Sequence, residues 1–426
     1  MRMPSLLPAS AALLTLACGP RAGTEAGDAA QKPHRPAPAG PSEPEEPVVL
    51  TEEALRIHRG GLLVDGHNDL PYRLRELDDL SLEKVDISRH QPELHTDIPR
   101  LRRGGVGAQF WSAYVPPETA KSGGAARYCL EQLDLVHRLV RKYPDELEMA
   151  RTADDIVRIH GEGKIASLIG IEGGHAIEGS LGTLRMFYAL GARYITLTHS
   201  ETHDWADSAT DGPRHGGLSP FGEQVVREMN RLGMLVDISH VSAETMKDVL
   251  SVSRAPIIAS HSSCLALAPH PRNVPDDVLR LIAANGGVVM VNFFSGFIDA
   301  EAARVSQDLF DVVRRLRADH TDEAGFRKAM EVWRREHPIP AGTVRTMVDH
   351  IDHIVRVAGI DHVGLGSDFD GVSQLPAQLE DVSCYPFITQ ELLNRGYAEA
   401  QIHQIMGGNL LRALREAEQV AREWEE

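Results

Sequence analysis

His67 and Asp69 stand one residue apart at the end of an apolar run. That spacing puts both side chains on one side of an extended segment, where they can reach one ion. Further runs of the same kind end in Glu172, His199, His240, His261 and Asp368. Imidazoles and carboxylates are costly beside a packed core unless something binds them. One His at a strand end is usually a hydrogen-bonded structural residue. Many strand ends converging on His or carboxylate make that reading much weaker. Imidazole nitrogen mixed with carboxylate oxygen suits Zn2+ or a similar divalent metal. His67, Asp69, Glu172, His240 and His261 are too many for one tetrahedral catalytic site that keeps a water, and they suffice for two metals sharing a carboxylate.

Such groups need elements that aim them at one point. Apolar runs of strand length fall at 61–66, 106–113, 165–171, 194–198, 234–239, 256–260, 287–293 and 362–367. Between most of them lie stretches with helical spacing, at 127–142, 181–190, 221–232, 243–251, 275–284 and 344–357. Ser219-Pro220 and Pro275-Asp276-Asp277 are helix starts, and Gly191, Gly233, Gly286 and Gly359 are stops. Continuous apolar strands alternating with helices imply a parallel sheet covered by helices. Eight such units predict an α/β fold of the closed (β/α)8, TIM-type barrel kind, over 49–426. An open doubly wound sheet is the alternative, but no Gly-rich dinucleotide fingerprint follows the first strand. In a barrel of this kind catalytic groups come from the C-terminal ends of different strands, which is where the His and carboxylates stand. A charged stretch over about 299–340 reads as an inserted helical pair.

Composition narrows the partners. With 44 Lys plus Arg against 61 Asp plus Glu in 426 residues, the formal net charge is -17, which argues against nucleic acid. Hydrophobic residues at 42% and charged residues at 25% allow a sizeable core. The four Cys, at 18, 129, 264 and 384, lack the paired short spacings of a disulfide scaffold or a cysteine zinc site. The N-terminus is a targeting segment: Arg2 precedes an apolar run from Leu6 to Leu16 that ends in Ala17-Cys18 and is too short to span a bilayer. Residues 1–17 read as a signal peptide, Cys18 as a lipidation site resembling the bacterial lipoprotein signal, and 18–48, rich in Pro, Ala, Gly and Glu, as a disordered tether. Thr15 departs from the aliphatic residue usual three before such a Cys. The membrane is then met only through a lipid anchor, and a periplasmic or secreted protein is the alternative.

Val64-Asp65-Gly66-His67-Asn68-Asp69-Leu70-Pro71, Ile171-Glu172-Gly173-Gly174-His175, Gly191-Ala192-Arg193-Tyr194 through His199, Asp237-Ile238-Ser239-His240, Ser260-His261-Ser262, Arg272-Asn273-Val274-Pro275 and Gly366-Ser367-Asp368-Phe369-Asp370-Gly371 together resemble the membrane (renal) dipeptidase family. The motifs arrive in the family's order over about 61–410. The resemblance implies a barrel with two zinc ions per chain that hydrolyses dipeptides bearing free amino and carboxyl termini. It implies His67 and Asp69 on one zinc, His240 and His261 on the other, and Glu172 bridging both. It also implies His199 and Arg272 against substrate, with Asp368 managing protons. Two cations would lower the pKa of a bridging water and polarise the scissile carbonyl. Asp368 would take that proton and deliver it to the departing amine, His199 would stabilise the oxyanion, and Arg272 would grip the terminal carboxylate. Mammalian members carry a C-terminal lipid signal, whereas Trp424-Glu425-Glu426 is polar.

Open beside this are hydrolysis of another small amide, such as a D-amino-acid dipeptide, an N-acyl amino acid or a β-lactam, a surface lipoprotein that binds without turnover, and a homodimer. Other residues carry plainer readings. His175 is expected to serve structurally, His203 and His215 flank a polar loop that is either lid or solvated surface, and His350 and His353 are expected on an exposed helix face. Cys264 follows the His261 motif, but no nucleophile is needed once metals supply hydroxide.

Overall fold

The computed structural model describes residues 46–425, apart from Asp79, Asp308 and Thr321. The signal, most of the tether and Cys18 lie outside the described residues. Nine parallel strands form one sheet: β1 (Leu63–Asn68), β2 (Val106–Tyr114), β3 (Leu147–Met149), β4 (Ile165–Glu172), β5 (Ala192–Thr196), β6 (Leu235–Asp237), β7 (Ile258–Ala259), β8 (Val288–Val291) and β9 (Val363–Leu365). β2 pairs with β4 and β1 with β9, so all strands but β3 close an eight-stranded ring. This is the TIM-type (β/α)8 barrel expected from the sequence. β3 is the unforeseen strand: it flanks the start of β4, pairing Leu147 with Ile165, while β5 takes the same edge further along. At three residues it is too short for an apolar pattern to register.

The helices follow from their sequences. Ser219 caps the helix Pro220–Leu232 by accepting from the Gly222 amide, and Gly233 ends it in the left-handed conformation at φ 75°. Ser242 caps Ala243–Val252 in the same way, and Gly286 ends Asp276–Asn285 at φ 82°. The strands are buried on both faces, as parallel strands under helices must be. Two apolar clusters result. One includes Phe110, Leu168, Tyr194 and Met290 of the ring and continues into Leu410, Leu411 and Leu414 of the C-terminal helix Asn409–Glu425, and the larger packs the ring against its surrounding helices.

The ring is stitched shut by a carboxylate. Asp65 on β1 is fully buried and accepts from the Ser367 amide at 2.8 Å, the Ser367 hydroxyl at 2.7 Å and Gln109 Nε2 at 2.9 Å, tying β1 to the last strand and to β2. Burial pushes its carboxyl up, and those three donors offset only part of that. The stretch read as a helical pair holds three helices, Ala300–Ser306, Leu309–Asp319 and Glu323–Glu336, before Val344–Val357 resumes the alternation. No described helix is long and apolar enough to cross a membrane.

Candidate metal centre

The parallel register carries the strand ends to one level. Tyr114 pairs with Glu172, Glu172 with Thr196 and Thr196 with Asp237 around the ring. Glu172 therefore ends its strand at the centre of the barrel mouth. Its Oε1 lies 3.0 Å from His240 Nε2, 3.4 Å from His261 Nε2 and 3.8 Å from His199 Nε2, and its Oε2 lies 3.6 Å from His67 Nε2. His67 Nε2 is also 3.2 Å from Asp69 Oδ2. Three groups of side chains offer ligand atoms within 4.8 Å of one another: His67, Glu172 and His261; Glu172, His199 and His240; His67, Asp69 and Asp368. All five expected ligands converge, and Glu172 belongs to two groups. Asp368 and His199 stand closer to the ligand set than the sequence suggested.

The far nitrogens of two imidazoles are fixed from behind. Tyr194 donates its hydroxyl to the Gly66 carbonyl at 3.1 Å, so the Tyr194 oxygen accepts from His67 Nδ1 at 2.8 Å. Ser260 donates to Asp237 at 2.6 Å and so accepts from His261 Nδ1 at 2.7 Å. Both rings then keep a proton on Nδ1 and turn Nε2 to Glu172, the nitrogen a metal would take. Buried His67 Nε2 makes no hydrogen bond, and the His240 and His261 Nε2 atoms face each other at 3.0 Å. Lone pairs and carboxylates crowded together at this depth call for a cation between them.

The charge balance agrees. Burial opposes charge on His67, but Tyr194, Asp69 and Glu172 outweigh it and hold His67 well above the usual imidazole range. Burial would raise Glu172, yet His67, His240 and His261 hold it well below the usual carboxylate range. Burial, aided by Arg272 and His199, keeps His240 well down, and burial with His67 does the same to His261. The cluster thus stabilises positive charge at its centre.

Two of these residues hold uncommon backbone. His240 lies at φ 68° and Asp368 at φ 64°, a left-handed conformation that non-glycine residues seldom take and that clusters at functional sites. Glycines make room for the assembly at two points. A Cβ on Gly170 would collide with the Tyr194 ring, and one on Gly371 would strike the Asp69 and Asp368 carboxylates. Asp368 accepts from Asn292 Nδ2 at 2.8 Å, and burial together with Asp69 and Glu172 pushes its carboxyl well up despite nearby His67.

Asp69, Glu172, His199, His240 and Asp368 line a cavity of about 610 Å3. On its wall Arg272 is buried, donates to the Ser262 hydroxyl and the His261 carbonyl at 3.4 Å each, and sits over Phe297 with Cζ 5.2 Å from the ring centre. Its Nε makes no hydrogen bond, and burial lowers the guanidinium to about 10, so it is charged at neutral pH. His199 packs on the His240 ring at 4.3 Å and edge-on to Tyr114 at 4.8 Å, and burial lowers it.

The remaining histidines fall elsewhere. His175 faces the Pro116 carbonyl at 3.2 Å and burial lowers it to about 3, a structural placement as expected. His203 donates to the Leu197 carbonyl, and His215 to that of His203, which knits the polar loop internally. His350 and His353 are not surface decoration. His350 is fully buried between the Cys264 amide and the Ile298 carbonyl, each at 2.9 Å, and His353 is nearly buried against Asp276 at 2.7 Å. Cys264 is buried beside His350, and burial raises its thiol. Sequence reasoning gave no role to Tyr194, Asp237 and Ser260, although all three stand inside the motifs that carry the resemblance.

The family described as membrane dipeptidase, peptidase family M19, matches residues 51–426. The chain is 42% identical to Dipeptidase 3 of Mus musculus over 376 residues, 87% of this chain and 67% of that protein. It is 40% identical to Dipeptidase verJ of Clonostachys rogersoniana over 389 residues, 88% and 89%. Among solved structures, the probable dipeptidase PvdM from Pseudomonas aeruginosa aligns with a TM-score of 0.72 at 27% identity, covering 87% of this chain and 98% of that one. A metallopeptidase from Rhodobacter sphaeroides, bound to a phosphinate mimic of the dipeptide L-Ala-D-Ala, aligns at 0.67 and 25%, covering 84% and 99%.

Proposed function

The chain belongs to the membrane dipeptidase family, peptidase family M19, and from that premise we propose that it is a dipeptidase working with two divalent ions, Zn2+ by the chemistry of its donors. The observation that carries the reading is Glu172, which is shared by two ligand groups while His67 and His261 are each held with Nε2 toward it. His67 and Asp69 would hold one ion, His240 and His261 the other, and Glu172 both. When bound, such ions would supply Lewis acidity, lowering the pKa of a bound water and polarising the scissile carbonyl.

The chain's own residues do the rest. Arg272 presents its guanidinium to the substrate's terminal carboxylate, and its burial strengthens that charge-assisted pair. His199, kept neutral by burial, donates a hydrogen bond toward the carbonyl oxygen as negative charge develops there. Asp368, whose carboxyl is raised by burial and oriented by the hydrogen bond from Asn292, accepts a proton from the attacking water and returns it to the departing amine. A panel of L,L, L,D and D,D dipeptides, assayed with added zinc and with a chelator, tests the proposal. Zinc-dependent cleavage of at least one class is expected, and no cleavage under any condition would sink it.

The likeness to the structure bound to an L-Ala-D-Ala mimic favours L,D-dipeptides as a second reading of the same site. For location, the run Leu6 to Leu16 before Ala17-Cys18 supports export with lipidation at Cys18. Native protein should fractionate with membranes and carry added lipid mass, and a Cys18→Ser variant should do neither.

A further inference from the structure

The helices after β8 do more than interrupt the barrel: they form part of the substrate cavity. Leu309, Val313 and Met330 of the helices Leu309–Asp319 and Glu323–Glu336 line it together with Phe294 and Phe297. These helices are fastened across the barrel mouth. Arg314 donates to the Ser200 carbonyl at 3.2 Å and the Thr210 carbonyl at 3.1 Å, in the loop that follows His199. On the other side Arg327 pairs with Glu76 at 3.9 Å. The apolar wall begins beside Arg272, whose guanidinium sits over Phe297, and Phe294 packs edge-on to Phe297 at 4.9 Å. Asp69, Asp370 and Glu76, the last paired with Arg73, also line the cavity.

We infer that the segment 300–336 is a specificity wall that receives the side chain of the substrate's C-terminal residue and selects dipeptides ending in a bulky apolar residue. This rests on the dipeptidase reading and on Arg272 as the carboxylate anchor. A dipeptide held at Arg272 by its terminal carboxylate has its C-terminal side chain within reach of Phe297 and the neighbouring helices. Its free ammonium then lies toward the carboxylates. An apolar side chain loses water against five apolar neighbours there, whereas glycine leaves the wall unfilled.

The test is the ratio of kcat/KM for Ala-Leu over Ala-Gly, with Ala-Asp as a third substrate, in the native protein and in Val313→Asp and Met330→Thr. The native ratio should be on the order of tenfold or more and should fall several-fold in each active variant. Two variants and the native ratio are independent readouts, so one misfolded variant leaves the question decidable. Equal native rates for Ala-Leu and Ala-Gly would overturn the inference. A preference for Ala-Asp that Arg334→Gln removes would also overturn it. Cleavage of Ala-Gly with no side-chain discrimination leaves the dipeptidase proposal standing, whereas no hydrolysis of any dipeptide defeats that proposal instead.

Discussion

Buried histidines occur in two regions of this molecule, and what faces their ε nitrogen separates them. Around the barrel, His58, His203 and His350 point Nε2 at a backbone carbonyl, of Gly104, Leu197 and Ile298, at 2.8 to 2.9 Å. Those nitrogens carry the proton. At the barrel mouth the arrangement is reversed: His67 and His261 donate from Nδ1 and turn Nε2 toward Glu172. Both sets are equally buried and chemically identical, so residue type and burial say nothing about role. The tautomer does, and the group behind the ring sets it.

Breaking the centre should cost most. Glu172→Gln should remove ion binding at both positions and lower kcat/KM on the order of a thousandfold or more, read by elemental analysis beside steady-state rates. A variant that keeps two ions would show that Glu172 does not bridge. Asp368→Asn should separate binding from chemistry, keeping its metal while kcat drops about a hundredfold. Tyr194→Phe removes only the oxygen that fixes the His67 tautomer. Metal affinity should weaken roughly 10- to 100-fold with the fold intact, measured by competition with a chromophoric chelator.

On the other side of the comparison, His350→Ala should leave the rate per folded molecule unchanged. It strands the Cys264 amide and the Ile298 carbonyl and should lower stability by about 1–3 kcal/mol in denaturant titrations. The most gradual effect is with pH. Burial holds His203 and His350 down at about 4, while in the unfolded chain they titrate near 6.5. The unfolded chain therefore binds protons first, and stability falls as pH drops from about 6.5 to about 4, by up to about 1.4 kcal/mol per unit for each. Unfolding midpoints across that range check it, and a midpoint that rises on acidification would refute the assignment of these rings as neutral.

The barrel was legible because long apolar runs and capped amphipathic helices repeat at the right spacing, and every expected strand appears. The convergence of the five candidate ligands was legible because function in this fold collects at strand ends, where His and carboxylates are out of place in a core. His350 was misread because polarity was taken for exposure: its helix turns it inward, where the Cys264 amide and the Ile298 carbonyl satisfy both nitrogens. The roles of Tyr194 and Asp237 depend on which strands become neighbours, a tertiary fact that no local pattern carries. The cavity-lining Leu309 and Met330 sit in a stretch whose charge dominates its appearance.

The stitch at Asp65 sets the order in which the enzyme can come into being. Its partner Ser367 is 302 residues further along, next to Asp368. During synthesis the chain emits His67 and Asp69 early and Asp368 near the end, so a nascent chain carries an incomplete catalytic set until the end of β9 arrives. The ring then closes and the set is completed in one step. A chain stalled before the end of β9 lacks the Ser367 donors to Asp65 and lacks Asp368, so the groups proposed for the reaction come together only with the last strand.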